Sequence, residues 1–307
     1  MIVRNTRLTR SRRGDSSERS LISPLELRRF SGKLGYWLVF ALLLLLTLTT
    51  IFPLYWMFSG ALKSTTEMFR MPPTIVPEQA NWSNYPLAWS RMRYNLYFSN
   101  TLFLALGAWL LQLFVSATAA FSLSKLRPAF GNVILLLFLS TLMVPPAAYI
   151  IPQYLTVVHV PLLNVSLLDT WWAIWLPGAV SAFNIFILKS FFDDIPLDLT
   201  DAARIDGANA WQLFVRIVLP LSRPVLAVVS IFSVIGAWKD FFWPFLVLTN
   251  VDLQPIMVAL YRLNNRAEEP LNLIVAALAI ASVPPLVLFL IFQRQIIRGI
   301  TLTGLKG

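Results

Sequence analysis

The 307-residue chain contains no cysteine and a single histidine, His159. The first absence excludes a disulfide framework and thiol chemistry. The second excludes a multi-histidine metal site, so no metal centre is expected. Charge is scarce as well. Only 13% of residues are Asp, Glu, Lys or Arg, where a soluble globular protein carries about 25%. No G-x-x-x-x-G-K-[ST] phosphate loop is present; Ser31 to Gly35 reads SGKLG, without the upstream glycine or a following Ser or Thr. No nucleophile pairs with a plausible base. The chain is therefore expected to be no enzyme, with no catalytic residue and no bound cofactor.

What is present is apolar. Hydrophobic residues make up 57% of the chain and the mean hydropathy is +0.67, which points to a membrane before any motif is read. The net charge of +10 could suggest nucleic acid, but its distribution argues against that partner. Nine of the 25 Lys and Arg precede Tyr36, and most others flank apolar runs. That pattern suits anionic lipid head groups and orientation signals. Residues 1–35 are polar and arginine-rich, too long and too polar for the start of a secretory signal. They read as a disordered cytoplasmic arm, with a regulatory or lipid-binding role as the sharper alternative. Residues 36–307 form the membrane domain.

A helix needs about 20 apolar residues to cross the hydrocarbon core. Six stretches qualify: Tyr36–Leu62, Tyr94–Leu123, Pro128–Val158, Thr170–Leu188, Pro224–Trp238 continuing through Phe241–Val251, and Leu271–Phe292. Lys239 and Asp240 interrupt the fifth. With the N-terminus inside, inner segments hold 18 Lys and Arg and outer segments six. This bias predicts an all-α membrane protein with both termini cytoplasmic. Pro53, Pro145-Pro146, Pro177, Pro244 and Pro284-Pro285 fall within these stretches. Each removes a donor and frees a carbonyl four residues earlier. Either neighbouring helices pack against the kinks, or broken helices line a watery path. Their number favours a transporter or channel over a simple anchor.

One passage departs from this oiliness: DAARIDGANAWQLFVRIVLPLSRP, Asp201 to Pro224. It lies in a loop at about 193–223, on the inner side by the charge rule, and reads as two short helices. Pro196 suits a first turn, and Asp198, Thr200 or Asp201 suits a cap or the positive helix end. Ala202 and Ala203 allow close approach by another surface. Gly207 permits the left-handed backbone that ends a helix. A second helix from Asn209 offers Trp211, Phe214, Val215, Val218 and Leu219 for burial, until Pro220 and Pro224 break it.

The passage resembles the EAA loop of ABC-transporter permeases, with Asp201-Ala202-Ala203, Asp206-Gly207-Ala208, Phe214, Ile217, Leu219-Pro220-Leu221 and Pro224 in the family's order. The first acid is Asp, where the family usually has Glu. FPLYWMFSGALKSTTEMF, MVPPAAYIIPQY, FNIFILKSFFDDIP, WKDFFWPFLVL and QRQIIRGITLTGLKG are similar to further blocks of the carbohydrate-uptake, maltose-type members, in order and spacing. The resemblance implies a type I importer permease fold with six transmembrane helices, in a bacterial or archaeal cytoplasmic membrane. It implies a homologous second permease, two cytoplasmic ATPase subunits that bind ATP and Mg, and an extracytoplasmic solute-binding protein. Asp201, Ala202, Ala203, Asp206, Gly207 and Ala208 would then form the coupling helix seated on an ATPase. The solute would be a sugar or related polar molecule.

Lys239 and Asp240 stand within the fifth stretch, Lys239 about 22 Å along it from Pro224. A central charge costs at least about 2.5–3.5 kcal/mol. The pair, with Trp238, is a candidate for the translocation path. Snorkelling, or pairing with the second permease, is the blander reading. The family usually has Asn where this chain has Lys239. Trp109, Trp171 and Trp238 suit stacking on sugar faces, but also ordinary packing. The competing class is a stand-alone secondary transporter. It would need inverted repeats and a proton or sodium relay, and neither is evident in the sequence.

Overall fold

The computed structural model describes the backbone of residues 30–265 and 269–304. Among them the regular structure is helical, apart from one isolated bridge between Val160 and Val165. Most of the expected basic arm, residues 1–29, lies outside the described residues. Helix α1 runs Phe30–Ala61, so it begins within the stretch assigned to that arm. From Leu34 to Tyr55 its large apolar side chains are exposed, Trp37 and Leu38 at 62%. A surface of that extent, on a helix this long and apolar, suits the hydrocarbon of a bilayer.

Short helices α2 (Thr65–Met68) and α3 (Asn84–Arg91) precede α4 (Tyr94–Phe121), which extends as a π-helical turn over Ser122–Leu126. Then follow α5 (Gly131–Thr141), α6 (Pro146–Val158), α7 (Trp172–Gly178) and α8 (Ala182–Asp193). The loop region holds α9 (Leu197–Ile205) and α10 (Ala210–Leu213), a π-helical stretch at Phe214–Val218, and α11 (Leu219–Leu221). The chain continues through α12 (Arg223–Lys239), α13 (Phe242–Val247), a 3-10 turn at Val251–Leu253, α14 (Ile256–Asn264) and α15 (Leu271–Gly304).

Three helices, α1, α4 with its π turn, and α15, are long and apolar enough to cross a bilayer alone. Three others are bent pairs: α5 with α6 at 102°, α7 with α8 at 46°, and α10–α11 with α12 at 84°. Of the two alternatives for the prolines, Pro128–Val158 takes the broken one. Pro145 takes an extended conformation and Pro146 starts α6 afresh. The fifth stretch differs from expectation. Its helix stops at Lys239, and Asp240 is extended with ψ 122°, so Lys239 and Asp240 stand at a break. Pro220 does not break the loop helix either. It sits in the first turn of α11, after π-type bonding has loosened the ladder, and the break falls at Ser222 instead.

Two tryptophans repair the gaps that prolines leave. Pro177 leaves the carbonyl of Ala173 without its helical donor, and the Trp243 indole N–H donates to it at 2.9 Å. Pro285 does the same to Ala281, and the Trp238 indole donates there at 3.2 Å. Each repair also staples one helix to another, α13 to α7 and α12 to α15. A polar group facing lipid without a partner would cost several kcal/mol, about the scale for hydrocarbon.

The buried core falls into three clusters. One joins α3, α4, α14 and α15 through Tyr94, Ile256 and a stripe of alanines on α15, Ala276, Ala277, Ala279 and Ala281. Small residues let helix backbones approach where lipid supplies no hydrophobic drive. A second joins α4, α8, α12 and the 210–219 helix through Phe121, Phe192, Phe214 and Val218. The third joins α4, α6, α7 and α13 around Leu104, Ile174 and Val247.

Candidate functional site

Two places concentrate chemistry: the loop between α8 and α12, and a cavity along α4, α6, α8 and α12.

In the loop, α9 ends as the sequence predicts. Gly207 has φ +84°; Ala208 N–H donates to Ala203 O at 2.9 Å and Gly207 N–H to Arg204 O at 3.0 Å. These two bonds form a complete Schellman cap. Asn209 then caps α10 by accepting from Gln212 N–H at 2.8 Å, while the Gln212 side chain accepts from Asn209 N–H at 3.0 Å. At the start of α9 the cap position is Pro196; Asp198 lies in the first turn, and the Thr200 hydroxyl donates to Leu197 O. Asp201 pairs with Arg204 at 3.0 Å, both side chains about half exposed. Such a pair adds little stability.

The six predicted loop residues do not share one environment. Asp201, Ala202, Asp206 and Gly207 are exposed, while Ala203 and Ala208 are half-buried. Ala203 packs inward, against the second core cluster. The outward face carries Leu199, Ala202 and Ile205, the last 86% exposed. Along α10 and the π stretch Leu213, Phe214 and Val218 are buried, but Trp211 and Val215 are exposed.

Sequence reasoning missed what holds this loop to the helices. Arg204 donates to Lys125 O at 3.2 Å. Lys125, itself buried, donates to Ile195 O at 2.8 Å. Ser124 donates to the Asp193 carboxylate at 2.7 Å, and Lys189 pairs with the same group at 2.6 Å. The π turn at the end of α4 is thus tied to both sides of α9. The only sequence signal was a lysine and an arginine closing an apolar run, which the charge count reads as orientation.

The cavity has a volume of about 1400 Å³. Its walls come from α4, α5, α6, the α7–α8 break, α12 and residues 240–243. Lys239 and Asp240 line it; Trp238 does not. Trp238 is buried, edge-on to Phe98 at 5.5 Å, and committed to Ala281. Trp171 stacks on Trp175 at 6.5 Å, also outside the lining, as is Trp109. Exposed His159 ends α6.

The walls also carry an uncharged polar cluster that the sequence did not announce. Asn184 donates to Gln112 Oε1 at 3.1 Å and to Ser233 Oγ at 3.3 Å, and Ser233 donates to Gln112. Gln112 in turn donates to Gly178 O at 2.9 Å, in the break between α7 and α8. Three helices distant in sequence therefore meet through side-chain amides and a hydroxyl. Single polar residues inside apolar runs were the available signal, but not their convergence. Among the described residues no cluster of His, Asp or Glu suits a metal ion.

A helical, multi-pass membrane body with broken helices around a cavity that carries a polar cluster in a mostly apolar wall has the architecture of a transport permease. Residues 112–302 match the family model for the binding-protein-dependent transport system inner membrane component, and the chain belongs to that family. It is a permease component and not an enzyme. The chain is 31% identical over 260 residues to the diacetylchitobiose uptake system permease protein NgcG of Streptomyces coelicolor, covering 83% of this chain and 84% of the relative. It is 28% identical over 267 residues to the sn-glycerol-3-phosphate transport system permease protein UgpE of Yersinia enterocolitica, covering 84% and 93%. In fold it is similar, with a TM-score of 0.77 and 22% identity over 87% of this chain and 98% of the other, to a chain in the crystal structure of a bacterial ABC transporter involved in the import of the acidic polysaccharide alginate.

Proposed function

We propose that the chain is one permease subunit of an ATP-driven importer in a bacterial or archaeal cytoplasmic membrane, and forms half of the path for a sugar or related polar solute. Counting each of α5–α6 and α7–α8 as one crossing, with α1, α4, α12 and α15, gives six spans. The basic-residue bias then puts both termini and the α9–α11 loop in the cytoplasm. A second permease completes the path, two ATPase subunits bind ATP and Mg below it, and a solute-binding protein delivers cargo from outside.

The observation that carries this reading is the outer face of α9. A rigidly capped helix holds Leu199, Ala202 and Ile205 exposed, flanked by Asp201 and Asp206. An apolar face next to acids is suited to a groove with basic rims. Family membership makes an ATPase the partner of choice. When ATP draws the two ATPase subunits together, each docked helix moves as a rigid body. Motion passes through the Arg204–Lys125 and Ser124–Asp193 ties into α4 and α8, and opens the cavity to the other side.

The test is Ala202→Asp in the full complex. Ala202 is exposed, so the change spares the chain's own packing, whereas Ala203 faces inward. The variant is expected to reach the membrane at normal levels, with uptake reduced at least about tenfold, the scale for burying an unpaired charge at an interface. Unchanged uptake would reject docking through α9. Uptake that persists without the ATPase subunits would favour a stand-alone secondary transporter.

A further inference from the structure

Lys239 is the last residue of α12, is exposed, and lines the cavity. Its ammonium group has no hydrogen-bond or ion-pair partner among the described residues. Several other basic residues of the membrane domain have partners, although none of them lines the cavity. Lys125 donates to Ile195 O, Lys189 pairs with Asp193, and Arg204 pairs with Asp201. The neighbouring carboxylate does not neutralise Lys239. Asp240 accepts the backbone N–H of Trp243, in the first turn of α13. Nor do the cavity's amides help, since Gln112, Asn184 and Ser233 satisfy one another. The residues that follow Lys239 and Asp240 in the chain, Phe241, Phe242 and Trp243, line the same cavity.

An ammonium group at a break within a membrane-crossing stretch, on the wall of a mostly apolar cavity, is costly unless something completes it. The cavity holds one cation that has no counter-ion among the described residues. Its mostly apolar walls also carry the Tyr149 hydroxyl and the Gln153 amide, neither of which has a hydrogen-bond partner among the described residues. We infer that the cargo carries an oxyanion, a carboxylate or a phosphate, on a polyhydroxylated body, and that Lys239 is the residue that selects for it. Lys239 binds the acid as a charge-assisted hydrogen bond; the polar walls take the hydroxyls, and the aromatic walls take the ring or chain faces. This rests on the importer reading above, and it narrows the solute class within it.

The experiment uses the complete importer in vesicles of zwitterionic phosphatidylcholine, so that no anionic head group can occupy the site. Four probes are offered as radiolabelled solutes: digalacturonate and sn-glycerol 3-phosphate, with galactobiose and glycerol as neutral counterparts. ATP-dependent uptake is expected for one of the acids and not for its neutral counterpart, and which acid it is separates carboxylate from phosphate recognition. Lys239→Gln is expected to raise the KM for that acid at least about tenfold, the effect of losing one charged hydrogen bond. Lys239→Arg, which keeps the charge, is expected to stay within about threefold of the parent on the same scale. Transport of a neutral probe alone overturns the inference, and so does acid uptake indifferent to Lys239→Gln. An Arg variant as defective as the Gln variant assigns Lys239 to packing and also overturns it. ATP-independent uptake, or none of any probe, counts against the importer itself, and the inference falls with it.

Discussion

The α9–α10 loop and the cavity are both polar interruptions in an oily chain, yet they are built in opposite ways. The loop is written in consecutive residues. Gly207 supplies the left-handed turn, Ala208 closes the Schellman bond, and Asn209 with Gln212 caps the next helix. The cavity is written across the chain. Gln112, Asn184 and Ser233 lie on α4, α8 and α12, and none has a local reason to be polar. A locally coded surface keeps its shape when a partner leaves, which suits a lever. A wall assembled from distant helices changes when those helices move, which suits a path that must open and close.

That contrast can be broken from the cavity side first. Gly107 on α4 lies so close to Trp175 that a Cβ there would stand 2.3 Å from the indole ring. Gly107→Leu is expected to push α7 off α4, break the Trp175 N–H bond to Leu104 O, and cost about 3 kcal/mol or more. A much lower unfolding midpoint in detergent is the readout. Asn184→Leu is next. It removes the bonds from Asn184 to Gln112 and Ser233, which untethers α8 from the cluster while Ser233 still donates to Gln112, at about 1 kcal/mol per lost bond. Stability and uptake should fall together, whereas Ala202→Asp should lower uptake alone.

Gly207→Ala sharpens the loop side. The new methyl meets nothing within 4 Å, so the whole effect is backbone strain, about 1–2 kcal/mol. Proteolysis within 205–209 should quicken while the helices stay protected, and Gly207→Asn, which tolerates this backbone, should do less. Trp238→Phe comes lower. It retains an aromatic contact with Phe98 but strips the donor from Ala281 O, for about 1 kcal/mol.

The smallest effect is a pH dependence at Asp169, which ties the segment before α7 to the end of α13. Burial pushes its carboxyl up, but the N–H of Asn250 and the hydroxyl and N–H of Thr249 outweigh it and hold it below the ordinary 3.8. Because the folded value is depressed, the contribution is full above the ordinary carboxylate range and is lost as pH falls through the folded value. Amide exchange at 248–250 should therefore quicken at acid pH in the parent, and already at neutral pH in Asp169→Asn.

The legible part of this protein was the part coded by neighbours. The apolar runs predicted the membrane body, and Gly207 predicted the end of α9. The two short loop helices follow from Ala202-Ala203 and from Asn209. Bends at Pro145 and Ser222 were less legible, because a proline says that a helix is weakened but not whether a neighbour repairs it. Pro177 and Pro285 stay within helices because Trp243 and Trp238 supply the missing donors. Trp238, suggested by sequence as a path residue, is thereby occupied in the core.

Sequence alone determined that this chain lives in a membrane, lacks a G-x-x-x-x-G-K-[ST] phosphate loop, and presents a capped acidic helix between two apolar spans. These follow from composition and from bonds made within a few residues. Tertiary structure alone decided that Ala202 faces outward and Ala203 inward, that Lys239 has no partner among the described residues beside a cavity while Asp240 is taken, and that three distant polar side chains satisfy one another. The physical reason is range. Caps and hydropathy act over a turn of helix, whereas the satisfaction of a buried polar group depends on which helix the fold brings to it.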